Sequence, residues 1–261
     1  TAAPDAMTDR SNKPNAAVER EFLHPGKHRP HYLERVSIVQ ALRELRHRVK
    51  PGRLLDVGCG MKPYESLLTQ RGSRYYGTDW PVTMEGSYGG STGADFFSDS
   101  MVLPFREGTF DTVVSTQMLE HVRQPEIVIP EMARVLKPDG VLILSAPMTW
   151  PLHEEPHDYY RYTLHGLRHL LEEADLEILD EIRRGNNWTT MAQMFLDTQV
   201  GNLGRRLPER LYTALVSLAV NHACSVANLF KPVRRLCLGW VMAARKMPAG
   251  ESRPADIRRS L

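Results

Sequence analysis

Residues 53–64 read RLLDVGCGMKPY, and the fold turns on them. An apolar run of Leu54, Leu55 and Val57 carries Asp56 within it and stops at Gly58, with Gly60 one residue further on and then Lys62 and Pro63. The run is too short for a buried helix and is bounded by glycine, so it reads as a buried strand over residues 53–57 that ends in a glycine turn. Upstream, Leu33, Val36, Ile38, Val39, Leu42, Leu45 and Val49 recur at helical spacing, and Pro51-Gly52 ends that helix, expected over residues 31–49.

Downstream, strand-like and helix-like segments alternate. Strands are expected over residues 74–78, 94–97, 110–115, 141–146 and 176–184, with helices over 64–70, 125–136 and 163–174. A turn at Lys137-Pro138-Asp139-Gly140 precedes the strand at 141. This alternation predicts an α/β chain with a doubly wound, mostly parallel sheet covered by helices on both faces. In such sheets ligands sit beyond the carboxyl ends of the strands, where DVGCG falls.

After Asn187 the pattern becomes helical, over residues 188–200 and 210–230, before a last strand at 238–244. Four segments follow: a flexible N-terminal arm (1–30), a core (31–185 plus 236–248), a helical insertion used as cap or interface (186–235) and a C-terminal tail (249–261). No Asp, Glu, Lys or Arg occurs from Leu211 to Phe230, but Thr213, Ser217, Asn221, His222, Ser225 and Asn228 interrupt the helix, mostly along one face. It is read as packed on the domain or on a second copy of the chain, ahead of a membrane-surface contact and of a true span.

Composition narrows the class. The chain has 261 residues, 42% hydrophobic and 25% charged, with a formal charge of +2. That is ordinary for a soluble globular protein and too weakly basic to imply a nucleic-acid partner. Cys59, Cys224 and Cys237 are too scattered for a disulfide framework or a zinc site, which fits a cytoplasmic protein. The polar first thirty residues are not read as a signal peptide.

The glycine turn excludes two common nucleotide sites. A dinucleotide fingerprint, G-x-G-x-x-G, fails because Pro63 stands at the third glycine, and no Gly-Lys-Ser/Thr follows the strand. What remains is D-x-G-x-G. With YYGTDW (75–80), DSMVLPF (99–105), GTFDTVVSTQMLEHV (108–122) and VLKPDGVLILSAP (135–147) in this order, the chain resembles the class I S-adenosylmethionine-dependent methyltransferases, in particular their small-molecule branch. The resemblance covers about residues 53–147, with a continuation to 184. It implies a Rossmann-like, seven-stranded sheet and S-adenosyl-L-methionine as cofactor, with S-adenosyl-L-homocysteine as product. Lys62 departs from the family, which often has a small residue there.

Each position carries a chemical reason. Gly58 and Gly60 let the main chain approach a bulky ligand and present amide donors to its carboxylate, with Cys59 between them. Asp56 either faces the ligand's ammonium or ties down the turn. Asp79, ahead of Trp80, can accept from both ribose hydroxyls. By the resemblance, Asp99 accepts from the adenine amino group, Ser100 offers an amide and Met101 packs on the ring. Asp95 is the competing acid. Thr116 and Gln117 leave the fourth strand beside the methionine half, and Tyr32, or His31, closes over the cofactor.

Catalysis needs a base only where the acceptor must lose a proton. PLHEEPHDYYRYT (151–163), just past the fifth strand, places His153 and His157 as bases and Arg161 as an anchor for an acidic substrate, unless Asp158 and Arg161 merely pair structurally. Pro156 argues against a metal site there, and none is expected. Glu120 and His121 read as an anchor for the following helix. The expected activity is methyl transfer to an oxygen or nitrogen of a small or medium-sized metabolite, with no nucleic-acid partner. The rivals are a macromolecular methyltransferase and a non-catalytic cofactor-binding subunit that docks a partner through its insertion.

Overall fold

A computed structural model describes residues 16–80, 93–200, 207–230, 232–233 and 235–248. Seven strands, β1 (Arg53–Val57), β2 (Arg74–Asp79), β3 (Phe96–Phe97), β4 (Phe110–Thr116), β5 (Leu136–Pro147), β6 (Leu176–Arg184) and β7 (Gly239–Lys246), form one sheet in the order β3-β2-β1-β4-β5-β7-β6. β1 pairs in parallel with both β2 and β4, and only β7 runs against its neighbours. The chain order reverses between β1 and β4, so a crevice opens beyond their carboxyl ends, where the glycine turn lies.

The sheet is buried on both faces, as parallel sheets require. Alternation along β1 sends Leu55 and Val57 to one face, with Val128, Ile129 and Met132 of α4 (Pro125–Val135) and Leu167 and Leu171 of α5 (Leu164–Glu173). Leu54 goes to the other face, with Ile38, Leu42 and Leu45 of α2 (Tyr32–Leu45) and Leu68 of α3 (Glu65–Leu68). Asp56 shares its parity with Leu54 and so lies on the α2 side. Thr163 starts α5 with its hydroxyl accepting from the Gly166 amide.

Three elements differ from expectation. The strand expected at 141–146 begins at Leu136 and carries the Lys137–Gly140 turn as a bulge, since Phe110 pairs with Leu136 and Thr112 already with Val141. Lys137 Nζ on Asp111, 2.7 Å, and Arg245 on Asp139, 2.9 Å, hold the bulge down. Residues 16–30, expected as arm, include α1 (Ala16–Leu23). It is fastened by the Arg35–Glu21 ion pair at 2.7 Å, the Arg35 guanidinium 4.4 Å above Phe22, and the Ser66 amide donating to Glu19 at 3.0 Å. Residues 1–15 and 249–261, the rest of the arm and the tail, lie outside the described residues.

The third difference concerns α6 (Asn187–Gln199) and α7 (Leu207–Ala227), which lie between β6 and β7 in sequence. The polar face of α7 points inward: Ser217 and Asn221 are fully buried, and the Asn221 amide donates to the carbonyls of Lys27 and Arg29 at 2.8 and 3.3 Å. Gln193 of α6 donates to Pro30 O at 2.9 Å and accepts from Glu34 N at 3.1 Å. Meanwhile Leu207, Leu211, Leu215 and Leu218 face outward, 40–80% exposed. The helix therefore grips the 27–34 segment through hydrogen bonds, with its apolar stripe uncovered in the monomer. Among the described residues no helix is long and apolar enough to cross a membrane.

This inverted packing is checkable by urea unfolding. Leu215→Ala should change stability by no more than about 0.5 kcal/mol, the range of ordinary surface positions. Asn221→Leu, which orphans two carbonyls, should cost about 1–3 kcal/mol.

Candidate active site

The turn after β1 is built on the carbonyl of Thr78 and the carboxylate of Asp79. The amides of Gly58 and Cys59 both donate to Thr78 O, at 2.9 and 3.1 Å. The Gly60 amide donates to Asp79 Oδ2 at 2.7 Å, and the Trp80 amide to Asp79 Oδ1 at 2.8 Å. The Gly58 and Gly60 amides, expected to face a ligand's carboxylate, are thus spent on the protein itself, as is that of Cys59. Gly58 also has a steric reason: its φ is +75°, and a Cβ there would fall 2.4 Å from Met118 Cγ. Cys59 is buried, and burial pushes its thiol pKa far up.

Asp79, 8% exposed, holds two amides yet keeps a further lone pair on each oxygen at the mouth of the crevice. Burial raises its pKa even against those two bonds. Asp56, 1% exposed, accepts from the Tyr75 hydroxyl at 2.5 Å through Oδ2, while Oδ1 has no partner. Burial pushes its carboxyl up to about 7. An orphaned buried oxygen two residues before Gly58 leaves one acceptor for an added cationic group.

Lys62, the departure from the family pattern, is buried and paired with Asp95 at 2.5 Å, and Asp95 also accepts from the Gly77 amide at 2.8 Å. That occupies Asp95 and separates it from Asp99. Asp99 is exposed and folds back onto the Met101 amide at 2.9 Å, so one oxygen closes the turn and the other stays open. Ser100 is half-buried beside it, and Met101 packs against the core. Leu103 and Phe105 behind them are held by Glu131 and Arg134 of α4: Glu131 accepts from Leu103 N at 2.7 Å, and Arg134 donates to Phe105 O at 2.9 Å.

Thr116 ends β4 half-buried. Gln117 adopts φ 51°, with its amide on Ser145 O at 3.0 Å and its side chain on Ser145 Oγ at 2.9 Å. This pins the β4 exit to β5 and turns Met118 under Gly58. Tyr32 opens α2, half-buried. None of the hydrogen bonds or ring contacts among the described residues joins it to the glycine turn. Its neighbour His31 reaches Asp197 at 3.2 Å and lies 6.3 Å, ring to ring, from Trp150.

The loop over residues 150–162 corrects one expectation. Arg161 is not free to hold a substrate acid, because its five N–H groups are all engaged: Trp150 O at 3.0 Å, Pro151 O and Tyr160 O at 2.8 Å, and the two Asp158 oxygens at 2.6 and 2.7 Å. Although burial opposes it, this guanidinium holds Asp158 down at about 2. The loop is strapped to residues 119–123 as well. The Tyr159 amide donates to Glu120 O at 2.8 Å, the Tyr162 hydroxyl to Leu119 O at 3.0 Å and the Tyr160 hydroxyl to Arg123 O at 2.9 Å.

His121 donates from Nδ1 to the carbonyl of His157 at 2.7 Å, so Glu120 and His121 anchor this loop rather than the helix after them. His157 stands edge-on to Trp80, 5.6 Å between centroids, with Nδ1 3.1 Å from the Tyr159 hydroxyl. The residue after Asp79 thus meets a histidine of the loop. His153 sits deeper, 4.7 Å from the His121 ring, and burial lowers its pKa. Sequence reasoning did not foresee the Trp80–His157 contact, which needs the loop's three-dimensional course. A separate hollow of about 540 Å³ lies at the β6–β7 edge, lined by Glu181, Arg183, Asn186 and Trp240. It lacks the glycine turn and the strand-end acids.

A family model described as a methyltransferase domain matches residues 27–181. An uncharacterized methyltransferase of Mycobacterium leprae is 36% identical over 97 residues, 35% of this chain and 36% of that protein. A ubiquinone biosynthesis O-methyltransferase of Nitrosococcus oceani is 27% identical over 133 residues, 42% of this chain and 56% of that protein. The chain therefore spans about a third to a little over half the length of these curated relatives. Among solved structures, the [4+2]-cyclase SpnF superposes with a TM-score of 0.53 at 23% identity, covering 82% of each chain. That likeness is one of fold alone.

Two outcomes follow from the turn. Gly58→Ala, strained at positive φ and against Met118, should lower stability by about 1–3 kcal/mol in chemical denaturation. The second concerns pH. Asp56 binds its proton up to about 7 when folded but only to about 3.8 when unfolded, so the folded state holds the extra proton between those values. Stability from this group falls as pH rises through that window, and Asp56→Asn should flatten the decline in melting temperature between pH 4.5 and 7. Parallel profiles would contradict the buried, orphaned carboxylate.

Proposed function

We propose, from the premise that the chain belongs to the methyltransferase domain family, that it methylates an oxygen or nitrogen of a small or medium-sized metabolite using S-adenosyl-L-methionine. The observation that carries this reading is Asp79: a carboxylate at the carboxyl end of β2, tied to the glycine turn and retaining acceptor capacity toward the crevice. Its two oxygens match a vicinal diol such as a ribose, which a phosphate-binding turn would not need. The unpartnered Oδ1 of Asp56 suits the ammonium of the amino-acid end. Asp99 and Met101, near the end of β3, suit the base, and Thr116 and Gln117 border the space between.

When bound, the cofactor supplies a methyl group already activated on a sulfonium. The chain's tasks are then to align the acceptor and to exclude water. Trp80 and the 150–162 loop wall the crevice on the acceptor side, and His157 is the group that takes the acceptor's proton where one must leave. His153, further from Trp80 and held at Pro151, is assigned a positioning part. Arg161 acts through the loop by fixing Asp158 and the 150–151 carbonyls. His31 and Tyr32 form the lid side. The O-methyltransferase relative supports an oxygen acceptor.

Calorimetry on the full chain tests the cofactor assignment. One equivalent of S-adenosyl-L-methionine should bind, and Asp79→Ala should remove measurable binding; unchanged affinity would overturn the ribose assignment. With isotopically labelled cofactor and a fractionated metabolite pool, label should pass to a small product. For that acceptor, His157→Ala should lower kcat by about 10²–10⁴-fold with little change in cofactor affinity, whereas equal loss of both would mark His157 as structural.

A further inference from the structure

The loop and the turn after β4 bring together three side chains, none of which takes the acceptor's proton in the proposed methyl transfer. Glu120, His121 and His153 each offer a ligand atom, and the three atoms lie within 4.8 Å of one another. Glu120 is 1% exposed and its Oε2 has no hydrogen-bond partner. A buried carboxylate oxygen without a donor is costly, and it points to a missing positive group.

The two imidazoles are prepared for the same group. His121 Nδ1 donates to His157 O at 2.7 Å, so in the neutral ring Nε2 carries the lone pair. That Nε2 faces carboxylates without bonding either, 4.0 Å from Glu120 Oε1 and 3.8 Å from Glu154 Oε2. His153 Nδ1 lies 3.2 Å from Pro151 O and 3.4 Å from Asp158 Oδ2, both nearer than the Arg161 nitrogen at 3.5 Å. Two acceptors closer than the donor place the proton on Nδ1 and leave the lone pair on Nε2 of His153. An N–H turned to a backbone carbonyl is the outer-shell arrangement that fixes a metal-ligating histidine.

We propose that Glu120, His121 and His153 bind a divalent transition-metal ion of the zinc or cobalt class. Two imidazole nitrogens and one carboxylate suit such ions and leave a coordination position for water or for Glu154, whose carboxylate is already beside His121. A tetrahedral ion about 2.1 Å from its ligands sets them about 3.4 Å apart, so binding draws the side chains together by roughly 1 Å. His153 sits on the 150–162 loop and the other two ligands on the turn after β4. The ion therefore joins the two segments that bound the crevice and orders the acceptor side. This inference does not rest on methyl transfer.

The test uses the full chain without a histidine tag and Co²⁺ as the probe. One equivalent of Co²⁺ should bind with visible ligand-field absorption, and Zn²⁺ should displace it. His121→Ala, His153→Gln and Glu120→Gln should each weaken Co²⁺ binding by at least about 10-fold, while His165→Ala leaves it unchanged. Circular dichroism identifies any variant that fails to fold, and the other two then decide. Binding well below one equivalent in the unsubstituted chain would overturn the site, as would equal affinity in the folded variants. Because no S-adenosyl-L-methionine is present, failure here is distinct from failure of the methyltransferase reading.

Discussion

The carboxylate of Asp79 is the point on which the crevice depends. Placed at the last residue of β2, it receives the Gly60 amide from the neighbouring strand's turn and the Trp80 amide from its own. Those two bonds set the height of the turn above β1 and β2 and aim Trp80 at the loop that carries His157. They also explain why so buried an acid is tolerated, since charged acceptors are stabilised by backbone donors while desolvation works against them. The sheet topology does the rest. The chain order reverses between β1 and β4, which leaves a crevice beyond their carboxyl ends.

A division of labour runs through the other polar groups. Arg161 and Asp158, the most conspicuous charges of the 150–162 loop, are spent on holding that loop to itself. Lys62 and Asp95 similarly lock the glycine turn to the start of β3, and the Lys62 chain passes close to Gly77, where a Cβ would meet its Cε at 2.5 Å. Acids left with unused bonding capacity include Asp56, Asp79, Asp99 and Glu120. They lie around the carboxyl ends of β1–β4. Function is read from these, because a side chain whose donors and acceptors are all satisfied within the protein has little left to offer a ligand.

Much of this was legible in the residues. The strands at 53–57 and 176–184 fall where their apolar runs and flanking glycines put them. The order of the motifs also foretold the doubly wound sheet and the placing of Asp56 and Asp79. What was not legible had physical causes. Charge is visible in a sequence but saturation is not, so Arg161 looked available until its five donors could be followed to their acceptors. Periodicity shows that a helix has two faces without saying which is inside, and α7 buries the polar one, where Asn221 donates to the Lys27 and Arg29 carbonyls. The meeting of Glu120-His121 with His153 is a contact across 32 positions of chain, and spacing carries no signal for it.

The proposed role of the crevice depends on where the nucleoside lies. A crystal structure of the chain with S-adenosyl-L-homocysteine would decide it most directly. The ribose hydroxyls should be found on the Asp79 carboxylate, with the amino-acid end toward Asp56 and the sulfur facing His157. Density for the ligand in the hollow beside Trp240, or a crevice closed by side chains above Asp79, would contradict it.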